Sequence, residues 1–392
     1  MPAPRLIFLL CLVTGANTVS LGAFPALLPE LGVSAGLVDW QLGAVAAAFG
    51  FARMLTDVPV GLFITHHLGR ALRLGPLVLL AGALLVAGGG TFGTLLLGRA
   101  LMGAGHTLAT LAVLTAILRY SAGSGLASAL AAIELAAMFG VLAGAGLTAL
   151  LPRTVPWNAA LLLACAPVLL TVALLPALRR ALPAAAQPDA RPLFARSSEP
   201  PAAAAPARAA RPGLVVLAAT AGAAIAISYA TVEQFVIPVR GSREFALERA
   251  GIARLLMLGQ VVDVLTLLPL GGLADRRGAR PVLGVVLLVF AAAMGLVAFG
   301  TLPLMALGCA LYGLAMAGWT LPLGLLRSVT PPAQVAWRTA LYRVAVDGGM
   351  CLGPLLAGIL AARHAGVLPV AMTAALAVTG VALLARRPRP SA

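Results

Sequence analysis

The sequence predicts an all-α integral membrane protein, with twelve transmembrane helices in two pseudo-symmetric six-helix bundles. Three observations predict it. First, 61% of the 392 residues are hydrophobic and 10% are charged, against about 25% charged in an ordinary soluble domain. The mean hydropathy is +1.02, and a soluble globule of this length could not hide so much apolar surface. Second, the apolar runs are continuous and about 20 residues long, which suits a membrane-crossing helix; barrel strands alternate over about 10. Third, six such runs lie on each side of one proline- and arginine-rich segment. The same composition excludes disordered, collagen-like and secreted disulfide-rich chains.

The first six spans are read at Leu6–Leu28, Leu42–Ile64, Leu74–Gly89, Leu95–Leu118, Leu126–Leu150 and Ala159–Leu178. The second six are read at Leu214–Val236, Ile252–Leu273, Val282–Phe299, Leu304–Leu326, Leu341–Ala361 and Val367–Ala385. Arg5 followed by an apolar run resembles a signal peptide. The run continues to Leu28 with no small-x-small cleavage site, so an uncleaved first helix is expected. Gly88-Gly89-Gly90 and Gly300-Thr301 mark two tight hairpins. Between the halves, residues 179–212 hold seven prolines and six arginines. Such a stretch cannot pack a core or sit in lipid, so it is expected to be a cytoplasmic linker between bundles at 1–178 and 213–392.

Charge sets the orientation. The net charge is +15, and every basic residue is arginine, which with the many alanines fits a GC-rich coding bias. The arginines sit between apolar runs, so a nucleic-acid footprint is not indicated. With the N-terminus inside, the inner segments carry 18 arginines and the outer ones five, counted from the sequence. Both termini and the linker are therefore expected in the cytoplasm. Trp40 and Trp157 fall at the outer interface and Trp337 at the inner one. Cys11, Cys165, Cys309 and Cys351 lie far apart inside apolar runs and read as packing residues, with no disulfide and no metal site expected.

The halves repeat at an offset of about 207 to 210 residues. Phe92-Gly93-Thr94 matches Phe299-Gly300-Thr301, Gly98-x-Ala100-Leu101-x-Gly103 matches Gly308-x-Ala310-Leu311-x-Gly313, and Gly140-xxx-Gly144 matches Gly349-xxx-Gly353. Such duplication places a substrate site near mid-membrane between the halves.

After the eighth span the chain reads Gly271-Gly272-Leu273-Ala274-Asp275-Arg276-Arg277-Gly278-Ala279-Arg280. This resembles the G-x-x-x-D-R/K-x-G-x-R/K loop signature of the major facilitator superfamily. The glycines would permit a tight turn and close helix approach, and Asp275 would cap a helix start or pair an arginine. The first-half copy is degraded: Thr65 stands where the acid belongs, and Gly69-Arg70 comes one residue late. Arg99-Ala-Leu-Met-Gly103-Ala-Gly105 looks like the family's R-x-x-x-G-x-G motif, whose arginine is linked to proton coupling. Gly349-xxx-Gly353-Pro354-xx-Ala357-Gly358 looks like the exporter motif of the drug/proton antiporter branch, displaced from the fifth span to the eleventh. The resemblance implies that the first, fourth, seventh and tenth spans line the cavity.

Charges within the membrane are functional candidates, because burying one costs several kcal/mol. Arg53 and Asp57, and Arg343 and Asp347, are i, i+4 pairs on the second and eleventh spans. The family's helix arrangement implies crossed bridges, Arg53–Asp347 and Asp57–Arg343, as a gate; intrahelical pairs are the alternative. Glu134 and Asp263 sit at similar depth, so a shared proton is one reading. Pairing of each with an arginine, such as Arg254 with Asp263, is the other. Asn17, Arg99, His106, Tyr229, Glu233 and Trp319 are the substrate-binding candidates on the cavity spans. The plainer readings are that Glu233 reaches water near the outer end, that Trp319 packs against lipid, and that His106 is a hydrogen-bonded helix residue.

The expected function is proton-coupled efflux of a small amphipathic or drug-like molecule by alternating access. The alternative is uptake of a sugar or organic acid by symport or uniport. The expected location is the inner membrane of a bacterium. Protons, lipid and a small-molecule substrate are the expected partners, with a monomer as the working unit and no cofactor. His66, His67, His106 and His364 have no neighbouring nucleophile or metal-ligand spacing, so an enzyme is not expected.

Overall fold

The computed structural model describes residues 4–120, 126–182, 212–331 and 334–385. Most of the linker expected at 179–212 lies outside the described residues. Every element among the described residues is helical: α1 (Pro4–Ser34), α2 (Asp39–Gly88), α3 (Phe92–Tyr120), α4 (Leu126–Leu150), α5 (Trp157–Cys165), α6 (Pro167–Ala181) and α7 (Pro212–Thr231). A π turn at Val232–Val236 leads into α8 (Ile237–Arg243). Then come α9 (Arg249–Arg277), α10 (Ala279–Phe299), α11 (Leu302–Met316), α12 (Leu321–Ser328), α13 (Val335–His364) and α14 (Val367–Ala385).

Eleven stretches of helix among the described residues are long and apolar enough to cross a bilayer. The count of twelve is recovered in α2. Its 50 residues would run about 75 Å as one straight helix, more than twice the hydrocarbon thickness. It is broken at His67, whose φ of −133° and ψ of 40° leave the helical region. The second and third spans are thus joined by a kink, where the sequence suggested a loop over 65–73. Arg119, at the end of α3, donates from Nη2 to the Thr65 carbonyl at 2.9 Å. The degraded motif of the first half is therefore tied by an arginine to a carbonyl and not by an acid.

The chain forms two compact units: residues 1–37 with 48–203, and residues 38–47 with 204–392. Within each, matched glycines set matched helix crossings. In the first unit a Cβ on Gly140 or Gly144 would collide with the α1 backbone at Gly15 and Val19. In the second, a Cβ on Gly349 or Gly353 would collide with α7 at Ile227 and Thr231. Gly103 lies against the backbone of Phe49 in the second span, and Gly313 against Gly259 in the eighth. Without a hydrophobic drive between helices in lipid, such close packing holds them together. The repeat read from sequence is a repeat of contacts.

The loop signature differs from its expected mechanics. Gly278 does make the turn, with φ of +87°, and it is the single residue between α9 and α10. Gly271 and Gly272 lie inside α9 with nothing within 4 Å of an added Cβ among the described residues, so they serve neither a turn nor a close approach there. Among the described residues no side chain caps the start of α10, so Asp275 does not cap that helix.

Candidate functional site

The seventh span supplies the central acid of the second unit. The π turn at Val232–Val236 carries Glu233, and single π turns in α-helices recur at functional sites. Glu233 is 3% exposed, so it does not reach water as its position along the chain suggested. Tyr312 on α11 donates its hydroxyl to Oε2 at 2.7 Å. Tyr229 on α7 donates to Oε1 at 3.2 Å. No arginine or histidine forms an ion pair with Glu233 among the described residues; its donors are neutral hydroxyls.

Aromatic rings frame this carboxyl. Tyr229 and Tyr312 lie nearly parallel, with centroids 6.4 Å apart. Trp319 meets Tyr229 edge-on at 5.9 Å, and Phe290 meets Tyr312 at 5.6 Å. Tyr229 and Trp319 are the partly exposed rings, whereas Tyr312 is buried. Trp319 does not sit in a continuous helix. The tenth span stops at Met316 and restarts at Leu321, and in the gap two amides reach back three residues, Gly318 to Ala315 and Trp319 to Met316. Broken helices at membrane depth persist where protein or a water-filled cavity covers them.

Asp263 is half-buried on α9, within electrostatic range of the Tyr312 hydroxyl. The suggested arginine partner, Arg254, is exposed and makes no ion pair among the described residues. Gln260, one turn earlier on α9, is buried, and neither amide atom is bonded among the described residues.

The first unit holds a buried cation. Arg99 is 0% exposed. Its guanidinium carbon lies 3.5 Å from the Phe24 ring centre and 4.9 Å from that of Phe49. Nη1 faces the Met102 sulfur at 4.0 Å, and Nε and Nη2 have no partner among the described residues. His106 also packs on Phe49, at 5.4 Å, so the seven-residue spacing does bring Arg99 and His106 around one ring. Asn17 is 1% exposed, with both side-chain amide atoms unbonded among the described residues.

The remaining candidates fall as follows. Glu134 lies on an exposed face of α4, Arg53 and Asp57 are half-buried on α2, and on α13 Arg343 is half-buried and Asp347 buried. Gly349 and Gly353 pack α13 on α7, while Gly358 and the Pro354 carbonyl pack against Gly43. The exporter-like motif is thus a two-sided packing surface. Sequence reading missed Tyr312, Phe24 and Phe49. Tyr312 is seven residues before Trp319 and Phe24 seven after Asn17, and two-turn spacing was the available signal. It also missed Arg240, which binds Glu244 at 2.7 Å and the carbonyls of Val297 and Gly300. Arg240 borders a cavity of about 400 Å³ lined by Phe235, Val239, Phe299 and Pro369.

A family model described as Major Facilitator Superfamily matches residues 6–259 and 234–392. No curated protein sequence matches the chain. Among solved structures, a mutant of the nucleoside transporter NupG superposes with a TM-score of 0.74 at 14% identity, covering 97% of this chain and 99% of that one. A mutant of the peptide transporter POT gives 0.75 at 14% identity, covering 97% and 93%. The human organic anion transporter MFSD10 gives 0.65 at 18% identity, covering 98% and 100%. At these identities the likeness is one of fold.

Proposed function

The chain belongs to the major facilitator superfamily, and on that premise we propose that it exports a small amphipathic molecule in exchange for protons, by alternating access. Membership makes it a multi-pass membrane transporter of small molecules and not an enzyme. The finer reading is carried by Glu233. A buried carboxylate held by two neutral hydroxyls has no counter-charge beside it among the described residues, and an uncompensated buried charge costs several kcal/mol. A proton supplies the balance when the site is empty. A carboxyl that must be neutralised in one state and can be relieved of its proton in another is the minimal coupling element. Asp263, near the same tyrosine, supports a second protonatable position on this unit. The arginine distribution supports a bacterial inner membrane with both termini in the cytoplasm.

The test uses purified protein in liposomes with a pH dye inside and an acid-inside gradient. A broad panel of compounds is added outside. A compound that dissipates the gradient with the unmodified protein, and fails to do so with Glu233→Gln, supports antiport through Glu233. Proton movement in the same direction as the compound makes the protein an uptake symporter. Coupling that survives Glu233→Gln but not Asp263→Asn or Glu134→Gln moves the proton site and overturns the assignment.

A further inference from the structure

We propose that one end of the first unit, where α1 begins and α6 finishes, is a docking surface for an anionic phospholipid. Its phosphate is held by arginines, and its chains lie along the helices beside them. The proposal does not depend on what the protein transports or in which direction.

The sequence scatters these arginines and packing collects them. Leu6 of α1, Leu72 of α2, Ile117 of α3 and Leu178 of α6 belong to one buried apolar cluster. The arginines are their chain neighbours. Arg5 precedes Leu6, Arg70 and Arg73 flank Leu72, Arg119 follows Ile117 by two residues, and Arg179 and Arg180 follow Leu178. Arg73 is half-buried and the others are exposed. Guanidinium groups from four helices therefore rim one end of a single packed core.

This rim is basic and unbalanced. Arg119 donates to the Thr65 carbonyl at 2.9 Å and Arg73 to the Gly69 carbonyl at 3.0 Å. Both acceptors are neutral and leave the charge in place. No acid forms an ion pair with any of these arginines among the described residues. The corresponding loop of the second unit differs, because Asp275 stands there among Arg276, Arg277 and Arg280, whereas Thr65 takes the acid's position in the first. A phosphate supplies the missing anion, and the planar fork of arginine matches it with two parallel hydrogen bonds.

The neighbours of the arginines select a lipid over a soluble anion. Phe8, one turn after Arg5, is 61% exposed; Leu74, four residues after Arg70, is 42% exposed; Leu118, beside Arg119, is 53% exposed. All three lie on helices long and apolar enough to cross a bilayer. A free phosphate would use the arginines and ignore these side chains, whereas a phospholipid uses both. On the orientation proposed above, this end meets the cytoplasmic leaflet, which carries the anionic lipids.

The experiment measures binding of radiolabelled cardiolipin, a lipid with two phosphates, to the full-length protein in an uncharged detergent. Phosphatidylglycerol, phosphatidylcholine and inorganic pyrophosphate serve as competitors. Saturable binding that weakens as salt rises is expected. Phosphatidylglycerol should displace the probe, and the other two should do so poorly. Arg70→Gln combined with Arg179→Gln should weaken binding about 25-fold, at roughly fivefold per arginine, and Arg276→Gln combined with Arg277→Gln by less than about twofold. Melting curves show that each variant is folded, and the salt and competitor series need no variant. Absence of saturable binding, equal displacement by phosphatidylcholine, or equal loss from the two pairs of substitutions overturns the proposal. Pyrophosphate competing as well as phosphatidylglycerol would make the rim a site for soluble phosphates and overturn the lipid assignment.

Discussion

The guanidinium carbon of Arg99 lies 3.5 Å from the centre of the Phe24 ring, and this aromatic face takes the place that a carboxylate would fill. Desolvated cation–π contacts are worth about 2 kcal/mol. Phe24→Leu is therefore expected to lower stability by about that amount, read as a fall in melting temperature. Arg99→Met removes the buried charge with little change in volume, and should melt at or above the unmodified protein. A methionine variant destabilised as much as the leucine variant would show that Arg99 bonds an anion or water the geometry does not account for.

The glycines divide into two groups that can be separated by alanine. Gly103, Gly144, Gly313 and Gly353 face neighbouring backbone, where no side chain can move aside. Alanine there forces two helices apart and should cost 1–3 kcal/mol or more, on the order of overpacking a core. Gly271 and Gly272 face open space, and alanine at either should leave the melting temperature unchanged or slightly raised. Equal effects in both groups would contradict the helix crossings.

Gly278 combines φ of +87° with ψ of 144°, a region that is costly for any side chain. Gly278→Ala is expected to cost about 1–3 kcal/mol. Ala279, one residue on and inside α10, provides the control: Ala279→Ser should be nearly silent in the same thermal assay.

The two tyrosines on Glu233 should differ in weight. Tyr312 donates at 2.7 Å from a buried position, and Tyr229 at 3.2 Å from a partly exposed one. Short hydrogen bonds to a charged acceptor are the stronger ones. Tyr312→Phe should therefore reduce proton-coupled transport in liposomes more than Tyr229→Phe does, by roughly tenfold on a difference near 1.4 kcal/mol. The reverse order would mean that water, and not Tyr312, holds the carboxylate during turnover.

Asp39 at the start of α2 and Arg243 at the end of α8 form an ion pair at 2.6 Å. Arg243 is largely exposed, so the pair should contribute only about 0.2–1 kcal/mol. A double-mutant cycle with Asp39→Asn and Arg243→Gln, read by melting temperature, should give a coupling in that range that shrinks with salt.

Much of this architecture is legible in the residues, because span length and apolar continuity are set by bilayer thickness. The spans from Leu6 to Ala385 and the glycine repeats fall where hydropathy and spacing put them. What hydropathy cannot see is where a helix breaks inside lipid. The kink at His67, the π turn at Val232–Val236 and the interruption at 317–320 lie within runs that stay apolar throughout. Nor does position along a span fix the direction of a side chain. Glu233 was placed near water by counting residues, yet it points into its bundle. Nothing in the apolar run around Tyr312 marks it out, and its hydroxyl is the shortest donor to the acid. Asp275 does not cap α10 for a related reason: a motif names residue types, and the backbone decides which of them reach one another.

The π turn also has a consequence for register. A π turn fits one more residue into the helix than an α turn would, and one residue in an α-helix is about 100° of rotation. Glu233 faces the tyrosines before that extra residue, and Arg240 clasps the Val297 and Gly300 carbonyls after it. Both contacts hold at once only because the helix is re-phased between them. Removing a single residue from 232–236 would leave a continuous, equally apolar span whose two ends no longer agree, and a one-residue change of length would undo what many changes of residue type would leave intact.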